Sequence, residues 1–249
     1  MYIVTSPKFD RRQILSVGVA AGSVAVIDQA QARSISGDVP WEPGQANKPD
    51  TAKPGPSEFF SPEEAQFIDA AVSRIIPADA LGPGAKEAGV TVFLDRQLAG
   101  PYGQAAQWYM QGPWAKGEKT QGYQSKMSPA EVYRAAIKAI DAYCNGKFSG
   151  KKFAALTTEQ QDQVLTGLEK GDIKLDGADA KSFFTMLLQN TTEGFFSDPL
   201  YGGNKDMAGW KLLGFPGAHY DYRPYVKKHN QKLGLAPVGI KGRPGWNAG

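Results

Sequence analysis

Phe59-Phe60-Ser61-Pro62-Glu63-Glu64-Ala65-Gln66-Phe67-Ile68-Asp69-Ala70-Ala71-Val72-Ser73-Arg74-Ile75-Ile76-Pro77 is the stretch that decides the fold class. Ser61 and Glu64 have the spacing of a capping box, in which each side chain satisfies the other residue's free backbone N–H. Pro62 stands at the first helical position, where its missing N–H costs nothing. Phe67, Ile68, Ala71, Val72, Ile75 and Ile76 then recur at the helical period, and Pro77 ends the run. One face of this helix must be buried against other elements.

Downstream, the same grammar repeats. Ala78 to Gly84 reads as a Gly/Pro loop, and a second helix is expected from about Ala85 to Leu98, with Val90, Phe93, Leu94 and Leu98 inward. Ser128-Pro129-Ala130-Glu131 is a second capping box. Its helix should turn Val132, Ala136, Ile137, Ile140, Tyr143 and Cys144 inward and stop at Gly146. A fourth helix begins near Thr157 and ends before Gly171, with Val164, Leu165 and Leu168 as its stripe. A fifth begins after Asp176, carries Phe183, Phe184, Leu187 and Leu188, and has Gly194 as terminator. No run alternates as a strand would. The expected fold is mainly α: a small domain of five to six helices with long irregular aromatic and Gly-rich loops and extended N- and C-terminal arms. The expected boundaries are a leader over 1–32, a Pro-rich arm over 33–57, the helical domain over 58–217 and a basic tail over 218–249.

At the other end of the chain, Arg11 and Arg12 precede an apolar run from Ile14 to Ile27 that carries no charge until Asp28. Ala30-Gln31-Ala32 follows, a small-x-small cleavage triplet. Basic, apolar and cleavage regions in that order describe a secretory signal, and the paired arginines specify the twin-arginine type, an address read by a receptor. Asp10 stands where Ser or Thr is common, and Ile14 where Phe is. The other readings are a short uncleaved N-terminal membrane anchor or a buried helix, but the apolar run is shorter than the roughly 20 residues needed to span a bilayer. Because the twin-arginine route carries folded proteins, the address implies a cofactor or partner acquired before export.

Composition narrows what is loaded. The 249 residues carry 28 Lys and Arg against 25 Asp and Glu, a net charge of +3. That balance argues against a general nucleic-acid binder. The basic residues that do cluster are Arg223, Lys227, Lys228, Lys232, Lys241 and Arg243 in the tail. The single cysteine, Cys144, rules out an intrachain disulfide and a Cys-x-x-Cys-His haem attachment. It is expected to be a buried free thiol, an interchain bridge being the other reading. The two histidines, His219 and His229, are not spaced as a metal pair on one helical turn. No Gly-x-Gly-x-x-Gly follows a strand-like run, and no phosphate-binding loop occurs. No catalytic, cofactor-binding or metal-ligating residue is therefore assigned to this chain.

Two loop regions are rich in flat side chains. Residues 101 to 126 hold Tyr102, Trp108, Tyr109, Trp114 and Tyr123, suited either to interface contact or to packing on their own core. Trp41, in the N-terminal arm, can anchor on another surface or fold back. Glu193 to Asn204 and Gly209 to Gly217 form a glycine-punctuated loop with a helical turn around Asp206 to Leu213. Phe195, Phe196, Tyr201 and Trp210 are its expected partner-interface anchors, with Trp114 and Trp41 as further ones. Asp198, Asn204 and Asp206 can form a polar cluster. A hydrolase working through Asp198, Asp206 or Glu193 near His219 is the alternative function, but no nucleophile accompanies these carboxylates, and loop-capping roles fit them better.

The chain resembles the gluconate 2-dehydrogenase subunit 3 family, the small subunits of bacterial membrane-bound FAD-dependent sugar and polyol dehydrogenases. The resemblance rests on Phe59 to Pro77, on Gly194-Phe195-Phe196-Ser197-Asp198-Pro199-Leu200-Tyr201-Gly202-Gly203-Asn204, on Gly209-Trp210-Lys211 to Pro216-Gly217, and on the leader. It implies a division of labour. A large flavoprotein subunit holds FAD and oxidises the sugar, a multihaem cytochrome c subunit passes electrons to the quinone pool, and the small subunit holds neither cofactor. The small chain then presents the folded flavoprotein to the twin-arginine translocase, and the complex works in the periplasm, peripheral to the cytoplasmic membrane.

Overall fold

The computed structural model describes residues 55–240, apart from 116, 119, 220 and 221. Arg11, Arg12, Ala30, Ala32 and Trp41 lie outside the described residues. Within them the chain forms six α-helices and no strand: α1 Pro62–Ile75, α2 Val90–Ala99, α3 Pro129–Lys147, α4 Thr158–Lys170, α5 Ala180–Phe196 and α6 Ala208–Leu213. Capping boxes open α1, α3 and α4, where Ser61, Ser128 and Thr157 pair with Glu64, Glu131 and Gln160.

α5 packs against each of the other five helices. The core gathers Phe67, Ile68, Ala71 and Val72 of α1, Phe93 and Leu94 of α2, Tyr133 and Ile140 of α3, Val164 and Leu168 of α4, and Phe183 and Leu187 of α5. A 3-10 turn at Phe153–Ala155 inserts Phe153 beside Phe67, ring centroids 4.7 Å apart.

Three element ends differ from the sequence expectation. α2 begins at Val90, because residues 85–89 form a turn closed by Gly89 at φ 77°. α3 continues through Gly146 to Lys147. α5 continues through Gly194 to Phe196, since this glycine serves packing and not termination: a Cβ there would lie 2.7 Å from Phe93 Cδ1. The inward face of α5 differs too. Leu188 is exposed, and Asn190, Thr191 and Gly194 fill the buried side. Asn190 Nδ2 donates to the hydroxyls of Tyr102 and Tyr133, and the Tyr102 hydroxyl donates back to Asn190 Oδ1. Tyr133 is fully buried, and this desolvation drives its phenol pKa far upward.

The entry to α1 is held by a buried carboxylate. Asp95 of α2 accepts the backbone N–H groups of Glu58 at 2.7 Å, Phe59 at 3.0 Å and Phe60 at 2.8 Å. Arg134 of α3 closes the same corner. It donates to Glu64 at 2.7 Å and to the Phe59 carbonyl at 2.6 Å, and lies over the Phe59 ring. Burial opposes ionisation of Glu64, but the Ser61 N–H and Arg134 outweigh it and hold the carboxyl below its ordinary range.

Cys144 is free and buried, and burial, reinforced by the charge of Asp141, pushes its thiol up to about 12. The native chain should therefore resist iodoacetamide at neutral pH and react once unfolded in urea. Asp95→Ala leaves three N–H groups without their acceptor and should destabilise the fold by about 3 kcal/mol. Asp95→Asn, which keeps one oxygen, should cost less. Urea midpoints decide: an Asp95→Ala midpoint equal to wild type refutes the clamp.

Candidate functional site

Residues 194 to 217 form a loop laid closely along the end of α5. At their start, glycines bring backbone onto backbone. A Cβ on Gly203 would fall under 3.0 Å from the Gly194 carbonyl, and one on Gly209 under 3.0 Å from the Phe195 carbonyl. Only glycine allows the loop to lie this close along the end of α5.

Asn204 is the peg of this loop. It is wholly buried, with left-handed backbone at φ 46°. Its Nδ2 donates to the Ser197 carbonyl and its Oδ1 accepts from the Gly209 N–H, both at 2.8 Å. The backbone N–H of the next residue, Lys205, donates to the Ala88 carbonyl at 2.9 Å, which ties the loop to the turn before α2. Asp206 at φ 57° and Met207 at φ 56° are also left-handed. A non-glycine residue there costs on the order of 1 kcal/mol. The strain is held because Met207 is buried and its N–H donates to the Asn204 carbonyl at 2.8 Å.

α6 then leaves this turn with a fixed orientation. Gly209 and Trp210 face inward. The Trp210 Nε1 donates to the Phe196 carbonyl at 2.7 Å, and its ring meets Phe215 edge-on, centroids 5.3 Å apart. Gly217 pairs with Val238, whose carbonyl accepts the Ala218 N–H at 2.7 Å. Asp198 joins the same closure: Oδ1 caps Leu200 N–H at 3.0 Å and Oδ2 accepts Ile240 N–H at 2.6 Å.

The aromatic residues expected as partner anchors divide on this geometry. Phe195, at 2 % exposed, belongs to the chain's own core, and Trp210, at 6 %, is pinned beneath the loop. Neither offers surface to a partner, because the glycine contacts draw the loop down onto them. Phe196 is half-buried and packed on the core. Tyr201, at 46 %, and Trp114, at 43 %, face outward. So do Leu81, Leu212, Leu213 and Phe215, which the sequence reading did not single out. A signal for Leu212 and Leu213 was present: two adjacent leucines on so short a helix cannot both share the buried face with Trp210.

The carboxylates do not assemble with the histidine. Both oxygens of Asp198 accept backbone N–H groups, Glu193 accepts from Gln189 along α5 at 2.8 Å, and His219 Nε2 pairs with the Ala236 carbonyl at 3.0 Å. Among the described residues no group of His, Cys, Asp and Glu is arranged to hold a metal ion, and no helix is long and apolar enough to cross a membrane. On its outer side the loop exposes Tyr201, Leu212, Leu213 and Phe215.

The profile of the family described as gluconate 2-dehydrogenase subunit 3 matches residues 62–217, more than half of the chain, from the start of α1 to the close of the pegged loop. No curated protein and no solved structure matches the chain.

Asn204→Ala removes both hydrogen bonds of the peg from a buried position. It should destabilise the fold by about 3 kcal/mol and speed amide exchange first at Gly209 and Trp210. Exchange at those amides unchanged from wild type would show that the peg does not hold the loop.

Proposed function

The chain belongs to the gluconate 2-dehydrogenase subunit 3 family, and from that premise we propose that it is the non-catalytic small subunit of a periplasmic FAD-dependent sugar or polyol dehydrogenase. The family is that of a subunit of a dehydrogenase complex, so the chain's work is read as assembly. In this reading the catalytic partner is a large flavoprotein that holds FAD, and a multihaem cytochrome c subunit receives the electrons. The small subunit binds the folded flavoprotein, stabilises it, and lends it the twin-arginine address. The mature complex sits in the periplasm, peripheral to the cytoplasmic membrane.

The observation that carries this reading is the family match, which spans all six helices and the pegged loop. Two features agree with it. The sequence has no dinucleotide-binding fingerprint and no haem-attachment motif, which agrees with a complex whose redox groups are held by other subunits. The Arg11-Arg12 leader suits export of a partner already folded around its flavin.

Replacing Arg11 and Arg12 together by Lys keeps the charge but removes the guanidinium geometry a receptor reads. With the flavoprotein co-expressed, periplasmic dehydrogenase activity should fall at least about tenfold, and FAD-loaded flavoprotein should accumulate in the cytoplasm. Periplasmic activity at the wild-type level in that double variant sinks the export role.

A further inference from the structure

We propose that the basic segment from Arg223 to Lys232 is a contact surface for the anionic headgroups of a lipid bilayer; the assembly reading above is used only to bring the chain to a membrane. Charge is segregated along the chain. Residues 222–249 carry Arg223, Lys227, Lys228, Lys232, Lys241 and Arg243 and no Asp or Glu, which leaves 22 basic against 25 acidic residues before them. The whole positive surplus therefore lies at this end, and the remainder is net negative. A negative surface attracts the one part and repels the other, so the same distribution that binds the chain also orients it.

The segment is fastened at its base. The Ala218 N–H donates to the Val238 carbonyl at 2.7 Å, the Val238 N–H donates to the Pro216 carbonyl at 3.1 Å, and His219 Nε2 meets the Ala236 carbonyl at 3.0 Å. The Ile240 N–H is held by Asp198 at 2.6 Å. The chain thus leaves and returns at one place beside the pegged loop, and the cations between are carried on a closed loop. Within it, a 3-10 turn at Arg223–Tyr225 is followed by a bond of 2.8 Å from the Lys228 N–H to the Tyr225 carbonyl. Arg223, Lys227, Lys228 and Lys232 are all exposed. No carboxylate of the described residues forms an ion pair with Lys227, Lys228 or Lys232.

Three kinds of anionic partner suit a positive segment, and the packing favours one. Single-stranded nucleic acid needs open aromatic faces on which bases stack. Here the Lys228 ammonium already lies 5.3 Å from the Tyr225 ring centroid, and Tyr222 lies against the His219 ring. A protein interface gathers apolar and aromatic side chains at a centre depleted of charge. Here Val226 stands among Arg223, Lys227 and Lys228, with no such centre. A bilayer needs neither stacking face nor matching shape: cations meet the headgroups, and a bare aliphatic side chain enters the boundary below them. Val226, 65 % exposed, supplies that side chain.

The test uses the purified full chain with vesicles of phosphatidylcholine, alone or mixed with phosphatidylglycerol. Each lysine close to an anionic surface strengthens binding about fivefold. The triple variant Lys227→Gln, Lys228→Gln, Lys232→Gln should therefore lower partition onto the phosphatidylglycerol vesicles at least about tenfold, with an unchanged melting temperature and unchanged partition onto phosphatidylcholine. The leader is present in both chains and cancels from their ratio. Raising the salt from about 0.1 M to about 1 M shortens the screening length from about 10 Å to about 3 Å and should bring the wild type down to the variant. A polarity-sensitive dye on Val226→Cys should shift to the blue with phosphatidylglycerol vesicles, the buried Cys144 taking no label, and the same dye on Tyr109→Cys, in the loop before α3, should not. Partition of the triple variant equal to wild type overturns the proposal; should that variant not fold, an unshifted dye at position 226 does the same. If the variant keeps the vesicles but loses capture of single-stranded RNA or of the flavoprotein, the segment meets that partner and the proposal is overturned. If the vesicle results are as expected while the wild-type chain captures no flavoprotein, this inference stands and the assembly reading falls.

Discussion

The close approach of backbone to backbone at the C-terminal end of α5 is the constraint on which the rest of the structure depends. Gly194 admits the Phe93 ring from α2, Gly203 lies on the Gly194 carbonyl, and Gly209 lies on the Phe195 carbonyl. No side chain separates these segments, so the loop after α5 follows the helix surface at van der Waals distance. Among the described residues, α5 touches every other α-helix. A loop laid on α5 is thus positioned relative to the other helices, and α6 with it.

The energetics favour the arrangement despite its strain. Three left-handed non-glycine residues cost a few kcal/mol together. Against this stand the two hydrogen bonds of Asn204, the Trp210 indole bond to Phe196, and the burial of Met207, Phe195 and most of Trp210. Burial of one large apolar side chain alone contributes roughly 2 kcal/mol, and hydrogen bonds satisfying buried groups about 1 kcal/mol each. Of the strained residues, Asn204 and Met207 are buried and hydrogen-bonded, while Asp206 is exposed.

At the entry to α1, Asp95 performs a related task with its carboxylate. A carboxylate receiving three N–H groups fixes residues 58–60, so the chain enters α1 at a defined point. Both devices use buried polar side chains to bind main chain rather than other side chains.

The sequence alone determined the helical class, the caps and most of the core, and it supported the family through two loop motifs. These are properties of local spacing: a capping box closes within four residues, and an apolar stripe repeats every turn, so neighbours in sequence suffice. It also marked Phe195 and Trp210 as aromatics of consequence, but not the side on which they lie. That was decided by tertiary structure, because whether a loop aromatic faces inward depends on how close the backbone can come to α5, and this depends on glycines paired across the fold. Gly194 looked like a helix stop for the same reason: its packing partner, Phe93, is about a hundred residues away. Asp95 left no local trace either, since its three donors belong to a segment more than thirty residues before it. Spacing along the chain reveals which residues share a helix face, and only the packed fold reveals which polar side chain holds a distant backbone and which leucines are left outside.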